Sequence, residues 1–369
     1  MTPTRLVALA VTLGLVLAGC GDTSGPPADD GGETSAGCTE APATEESGEV
    51  VRLLTHDSFV LSDGVLDAFT DDTGIEVEVI QGGDAGTVVN QAILTKGNPQ
   101  ADVLYGIDST FLSRALDEEL FVAHAAEGMD EVDPSLHLGP AGCVTPIDYA
   151  DVCLNYDKAY FEEHDLAVPT SLQDLTDPAY ADLLVVENPA TSSPGLAFLL
   201  ASVQEFGDSG WEEWWGALRE NGVHVAEGWE EAYYSSFSGA LGSDGDRPIV
   251  VSYASSPPAE VVFADPPVDE PPTGVIEASC YRQVEAAGIL AGTDHPAEAA
   301  QLVDFLLSDR VQVDVPLSMF VFPARDGVEL PEVFVEHAAT PEDVYELPAD
   351  EIDANREDWI ERWTDIVLR

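Results

Sequence analysis

Residues 50–108 read VVRLLTHDSFVLSDGVLDAFTDDTGIEVEVIQGGDAGTVVNQAILTKGNPQADVLYGID, and this stretch decides the fold. Short apolar or alternating runs, typical of strands, are separated by segments with helical spacing. The predicted strands are Val50–Leu54, Ile75–Ile80 and Asp102–Tyr105; the predicted helices are Val65–Thr70, capped by Ser62 or Asp63, then Asp84–Leu94 and Ser109–Leu116. Strands and helices that alternate at this spacing indicate an α/β fold with a largely parallel sheet.

The chain then builds a second α/β region and returns to the first. Thr145–Tyr156 is a long extended run without a helix, and Tyr281–Leu290 is predicted as a later strand. About 320 patterned residues exceed the usual size of one core, so two interleaved lobes joined by hinge strands are expected. The predicted boundaries are 49–146 with 279–325 for lobe 1, and 147–278 with 326–369 for lobe 2 and the closing helices.

The residues before this region have the pattern of an exported lipoprotein. A positively charged start, Met1–Arg5, precedes the apolar and small-residue run Leu6–Gly19, which ends at Cys20. This pattern predicts a signal peptide at 1–19 and a lipid on the Cys20 thiol. Residues 20–48 hold almost no large apolar side chain and are predicted to form a disordered linker. The folded part is therefore expected to be extracytoplasmic and lipid-anchored to the cell membrane.

The chain is strongly acidic, with 13 basic and 70 acidic residues and a net charge of −57. A nucleic-acid partner is excluded on this basis, because phosphates would be repelled across the whole surface. Two explanations stay open, adaptation to high salt and attraction of a cationic ligand. The spread of the acids along the chain favours salt adaptation.

Four cysteines follow Cys20, at positions 38, 143, 153 and 280. An even number in an oxidising compartment indicates two disulfides, with three possible pairings. Ten residues of extended chain separate Cys143 from Cys153, which is too far for a direct bridge. The favoured pairing joins Cys153 to Cys280 and leaves Cys38 for Cys143. The scattered histidines lack zinc-ligand spacing, so no metal site is predicted.

Five of the six tryptophans have the spacing of packing residues. Trp211, Trp214 and Trp215 share one face of a predicted helix at 211–219, which follows another predicted helix at 195–206. Trp359 and Trp363 share one face of the predicted closing helix at 350–368. Trp229 differs, because it follows Glu227-Gly228 at a predicted strand end and could either stack on a ligand or pack.

Polar or glycine-rich residues follow several predicted strands, where ligands bind in open α/β sheets. Within and beyond these exits, a series of motifs resembles the thiamine-binding proteins of ABC importers, over about residues 50–369. The motifs are Thr55-His56-Asp57-Ser58-Phe59, Ala101–Asp108, Pro146–Tyr149 with Asn155–Lys158, Thr191–Leu196, Glu227–Tyr233, Ser252–Pro257 and Gln283-Val284-Glu285. The resemblance implies a two-lobed type II periplasmic-binding-protein fold.

The resemblance also implies a set of ligand-binding residues in the cleft between the lobes. The set is His56, Asp57, Asp84, Ala85, Ser192, Trp229, Tyr253 and Phe320. Three positions depart from the family: His56 stands where a tyrosine is frequent, Phe320 where a tryptophan stacks, and Ala259 where some members carry a tyrosine. Ser192 would serve a phosphate or hydroxyl arm, or act as a plain helix cap.

The expected function is capture of thiamine or its phosphates for permease subunits of an ABC importer, without catalysis or a cofactor. Aromatic faces attract the cationic thiazolium ring, and Asp84 complements its charge. Two alternatives stay open: the same fold with iron(III) or a polyamine as cargo, and a secreted thiaminase-like enzyme, which would need a nucleophilic cysteine.

Overall fold

The computed structural model describes residues 37–40 and 50–369, except for the side chain of Asp208. The predicted signal peptide at 1–19, Cys20 and most of the predicted linker at 20–48 lie outside the described residues. Within that linker, Cys38–Thr39 forms a short strand paired with Phe121–Val122, so the prediction of disorder is wrong for these two residues. Within the described ranges, no helix is both long and apolar enough to span a membrane.

Eleven strands are found among the described residues, and all belong to one sheet. They are β1 (Cys38–Thr39), β2 (Val50–Thr55), β3 (Glu76–Gln81), β4 (Val103–Asp108), β5 (Phe121–Val122), β6 (Thr145–Asp157), β7 (Leu184–Glu187), β8 (His224–Ala226), β9 (Ile249–Tyr253), β10 (Thr273–Leu290) and β11 (Phe322–Pro323).

The α-helices cover both ends of this sheet. They are α1 (Val65–Thr73), α2 (Ala85–Leu94), α3 (Leu112–Asp117), α4 (Lys158–Glu163), α5 (Ser193–Glu220), α6 (Pro257–Val262), α7 (Pro296–Leu306), α8 (Asp309–Ser318), α9 (Glu332–His337) and α10 (Ala349–Val367). A π-helical turn at Glu231–Ser236 follows β8.

The α/β prediction is confirmed, with parallel strands at the two ends of the sheet and antiparallel pairing in its middle. The main strand order is β3-β2-β4-β10-β6-β9-β7-β8. Parallel pairs join β2 to β3 and β4, and β7 to β8 and β9. The long strand β10 runs antiparallel to β4 and β6. Carboxyl ends of parallel strands from both ends of the sheet therefore face the middle.

Strands β6 and β10 pass through both halves of the sheet. Their register shifts between Ile276, opposite Leu154, and Tyr281, opposite Val152. The Cys153–Cys280 disulfide lies at this shift, and a second disulfide joins Cys38 to Cys143. Both predicted pairings are confirmed.

The tryptophans predicted as packing residues are buried. Trp211, Trp214 and Trp215 are 0–4% exposed on α5, and Trp215 meets Trp363 of α10 edge-to-face at 5.5 Å between ring centroids. The two helices predicted at 195–206 and 211–219 are confirmed, because α5 is kinked between them at a non-helical residue, Gly207, with φ 70° and ψ −175°. Glycine adopts this positive φ without steric cost, which allows the kink at this position.

Two local predictions need correction. Helix α1 begins after Gly64, which has φ 85° and makes no side-chain cap, so neither Ser62 nor Asp63 is the N-cap. The Ser62 carbonyl instead accepts a hydrogen bond from the Val65 N–H. Strand β3 begins at Glu76 rather than Ile75, and it is an edge strand whose Val79 is 37% exposed. An edge position explains why the alternating pattern does not correspond to a buried face.

Candidate functional site

The strand ends surround a cavity of about 270 Å³ in the middle of the molecule. One wall carries His56 and Asp57, which follow β2, and Asp84 and Ala85 at the start of α2. The facing wall carries Trp229 after β8 and Tyr253 at the end of β9. Its size is close to the lower end of the range for small-molecule sites.

Asp84 connects the two walls. Its carboxylate caps α2 by accepting a hydrogen bond from the Ala85 N–H at 2.6 Å, and it also accepts from the Trp229 N–H at 2.8 Å. Burial raises the pKa of Asp84, while the Trp229 N–H, the neighbouring Ser192 hydroxyl and the Ala85 N–H oppose that rise. Because both walls hold the same carboxylate, its position is fixed before a ligand enters.

The walls also meet through the backbone next to Asp84. The Thr87 N–H donates to the Thr191 carbonyl at 3.2 Å. A Cβ on Gly86 would lie 2.7 Å from the Thr191 carbonyl oxygen and 2.8 Å from Cζ of Phe111. Only a glycine allows this close approach.

The floor of the cavity carries acidic groups from the two long strands. Asp148 of β6 lies opposite Glu285 of β10 in the sheet register, and the Tyr105 hydroxyl donates to Asp148. Burial, followed by the Glu285 charge, raises the pKa of Asp148 well above its usual value. The His56 Nε2 atom lies 3.6 Å from Glu285 Oε2.

His56 is held in its protonated form by these acids. Burial alone would lower its pKa, but Glu285, Asp84 and Asp148 outweigh that effect and raise the pKa to about 9. Its ring lies against Gly106, where a Cβ would be 2.5 Å from His56 Cδ2. The imidazolium is therefore fixed in position as well as in charge.

Aromatic rings form the wall around Trp229. Its indole stacks on Tyr233 at 4.9 Å with an interplanar angle of 20°, and its Nε1–H donates to the Ser252 hydroxyl at 3.0 Å. Tyr253 lies 6.1 Å away and lines the same cavity. Trp229 therefore does both things that its sequence position allowed: it packs on Tyr233 and lines the cavity.

The charge of the lining is one-sided. Five carboxylates, from Asp57, Asp84, Asp148, Glu230 and Glu285, line the cavity, and His56 is the one basic side chain among the described residues that do so. Even with some of these acids protonated, such a lining favours a cation over an anion. Aromatic faces beside it add cation–π attraction.

Seven of the eight residues predicted for the site line this cavity: His56, Asp57, Asp84, Ala85, Trp229, Tyr253 and Phe320. Ser192 does not; it is fully buried behind the wall, and its neighbour Ser193 lines the cavity instead. Ser192 is the N-cap residue of α5 by position, as the plain-cap interpretation expects, but its side chain makes no cap hydrogen bond to the helix. Ser193 donates its hydroxyl to Asp108, whose pKa burial raises to about 7.

Sequence reasoning did not single out Asp148 and Glu285 as site residues. The signal available in the sequence was a charged residue in the middle of a strand. In the structure, the residues of β6 and β10 around Asp148 and Glu285 are mostly buried or half-buried. Ionised side chains are rarely buried without a functional or pairing role.

Comparison with known proteins places this geometry in a family. Residues 98–349 match the family described as bacterial extracellular solute-binding protein. The chain belongs to that family. Periplasmic binding proteins are among the relatives that it resembles.

Individual relatives extend over most of the chain. The thiamine-binding periplasmic protein of Salmonella typhimurium is 28% identical over 328 residues, which cover 87% of this chain and 94% of the relative. A solved periplasmic thiamin binding protein superposes with a TM-score of 0.75 at 26% identity and covers 89% of this chain and 99% of its own. Iron-bound HitA from Pseudomonas aeruginosa shares the fold, with a TM-score of 0.69 at 22% identity over 86% of this chain and 99% of its own. The resemblance seen in the sequence is thereby confirmed, and so is the two-lobed periplasmic-binding-protein fold of these neighbours.

Proposed function

We propose that this chain captures thiamine outside the cytoplasm and delivers it to the permease subunits of an ABC importer. The observation that carries the proposal is the cavity lining, which combines five carboxylates with the aromatic faces of Trp229 and Tyr253. Thiamine is a flat molecule with a permanently cationic ring, so it complements both features. The thiamine-binding relatives support the same assignment.

The lining separates this cargo from the iron(III) alternative. Iron binders need convergent hard-oxygen ligands, and within the described residues no group of three or more His, Cys, Asp or Glu side chains is arranged to hold a metal ion. The adjacent pair Tyr233-Tyr234 does not converge, because the buried Tyr233 hydroxyl donates to Glu260 at 2.8 Å while Tyr234 is 51% exposed. A flat aromatic cation can stack on the faces of Trp229 and Tyr253, whereas a polyamine has no ring to stack on them and gains only cation–π attraction.

Binding without catalysis fits the same residues. A thiaminase-like reaction would need a nucleophilic cysteine, and the four cysteines in the described ranges are joined in disulfides. The proposed anchor is a lipid on Cys20, based on the sequence preceding it. The proposed lobes are 49–146 with 279–325, and 147–278 with 326–369, joined by β6 and β10.

Isothermal titration calorimetry of the mature protein with thiamine tests the proposal, with Trp229→Ala and Trp229→Phe as variants. We expect the wild type to bind one thiamine. Trp229→Ala should weaken binding by about 2–4 kcal/mol, as for a buried aromatic hot spot. Trp229→Phe should lose less, since it keeps a ring on Tyr233.

Thermal unfolding of each variant separates ligand contact from packing. If Trp229→Ala unfolds at a lower temperature than the wild type but its folded fraction binds thiamine with wild-type affinity, Trp229 is a packing residue. No heat of binding to the wild type, under conditions where it is folded, would exclude thiamine as the cargo.

A further inference from the structure

Phe263 is an exposed aromatic residue at the mouth of the cavity. It lies directly after α6, lines the cavity and is 65% exposed. A phenylalanine this exposed contributes little to the core, and it lies on the surface of a chain whose net charge is −57. Core packing therefore does not account for a phenylalanine at this position beside the cavity.

The ring of Phe263 continues the wall that Phe320 begins. The two rings meet edge-to-face with centroids 5.5 Å apart. Phe320 is 9% exposed and holds a φ of 57°, a left-handed backbone conformation that bulky residues rarely adopt. The surrounding Phe322 and Phe334 rings hold Phe320 in a packed cluster. Phe263 is thus supported by a fixed ring on one side and open on the other.

Ala259 explains why Phe263 can reach this place. It lies one helical turn earlier on the same face of α6, lines the cavity and packs against the Phe320 cluster. The Phe263 N–H donates to the Ala259 carbonyl at 3.0 Å, which fixes the spacing. The small side chain at 259 leaves the room above Phe320 that the ring at 263 covers.

A second exposed ring also lines the cavity. Tyr234 is 51% exposed, lines the cavity and meets Trp229 edge-to-face at 5.5 Å. Two exposed aromatic rings, Phe263 and Tyr234, therefore line the cavity. The carboxylates of Asp148 and Glu285 come from the long strands β6 and β10.

We infer that Phe263 is a ligand-binding residue, which covers one ring of a flat aromatic cation together with Phe320 while the acidic lining neutralises its charge. This inference rests on the proposed function for the identity of the ligand. It adds an exposed aromatic contact to the residues predicted for the site.

Calorimetric titrations of wild type, Phe263→Ala, Phe263→Leu and Val262→Ala test the inference, with thiamine and benzyltrimethylammonium as separate ligands. Val262 is the matched control, because it is 44% exposed beside Phe263 but does not line the cavity. We expect Phe263→Ala to raise the Kd for thiamine about tenfold. Phe263→Leu should fall between, and Val262→Ala should stay within about twofold. Thermal midpoints should be nearly equal, since both side chains are exposed.

The outcomes separate the two proposals. If Phe263→Ala and Val262→Ala bind thiamine with equal affinity, the role of Phe263 is overturned and the proposed function is unaffected. Binding of benzyltrimethylammonium that depends on Phe263, with no binding of thiamine, would support the aromatic wall and exclude thiamine. A wild type that binds neither ligand contradicts both.

Discussion

His56 is a buried imidazolium that depends on its acidic neighbours. Its pKa is about 9 in the folded protein, against about 6.5 when unfolded. Between these values the folded state holds a proton that the unfolded state has released. The stability that His56 contributes is therefore fully present below about pH 6.5 and lost as the pH rises through about 9.

We expect the free energy of unfolding of the wild type to fall by roughly 3 kcal/mol between pH 6.5 and 9, relative to His56→Gln. Denaturant unfolding of both proteins at a series of pH values measures the difference. Glutamine keeps a polar side chain of similar size but does not titrate. Parallel pH dependences for the two proteins would show that Glu285, Asp84 and Asp148 do not hold the proton on His56.

At the element scale, the Cys153–Cys280 disulfide links β6 to β10 where their register shifts. It closes a loop of 127 residues, and the Cys38–Cys143 disulfide closes one of 105. In the chain-entropy model each bridge contributes about 5 kcal/mol by restricting the unfolded chain. Similar loop lengths predict similar losses.

We expect Cys153→Ala with Cys280→Ala, and separately Cys38→Ala with Cys143→Ala, each to lower the free energy of unfolding by roughly 4–5 kcal/mol. Guanidinium unfolding of the two double variants measures this. The variants serve as controls for each other. A loss confined to one of them would mean that native contacts, rather than loop length, decide the effect.

The elements themselves were largely predictable, because periodicity reports burial on one face. Ala85–Leu94 begins one residue after its predicted start, with Asp84 as the N-cap, and Ala349–Val367 matches its predicted helix within one residue at each end. The two helices within α5 were predictable as well, but the exact position of the kink between them, at Gly207 with φ 70°, was not. The site was predictable where residues follow strands. Asp148 and Glu285 lie within strands, and their pairing needs the register.

The whole molecule carries 70 acidic and 13 basic residues. Repulsion among these acids opposes the compact state, and salt screens it because the Debye length falls to about 3 Å at 1 M. The ion pairs in the described ranges that involve exposed arginines, such as Arg369 with Asp365, stabilise little. Screening should therefore raise stability more than it weakens these pairs.

We expect the melting temperature at pH 7 to rise by about 3–6 °C between 0.05 and 1 M sodium chloride, for a gain on the order of 2 kcal/mol. Differential scanning calorimetry measures it, and sodium bromide at equal concentrations controls for ion-specific effects. A melting temperature that falls with salt would show that screening weakens the ion pairs by more than it relieves repulsion among the acids.

The close approach at Gly86 has a consequence for how tightly any ligand is held. A methyl group there would act as a wedge between Thr191 and Phe111, so Gly86→Ala should shift the unliganded protein toward an open form. The apparent Kd then rises in proportion as the binding-competent fraction falls, although no cavity residue has changed. Small-angle X-ray scattering should show a larger radius of gyration for this variant than for the wild type. Gly216→Ala should show no such increase, because its added Cβ meets nothing within 4 Å. Affinity in this chain is thus adjustable from a position that never touches the cargo.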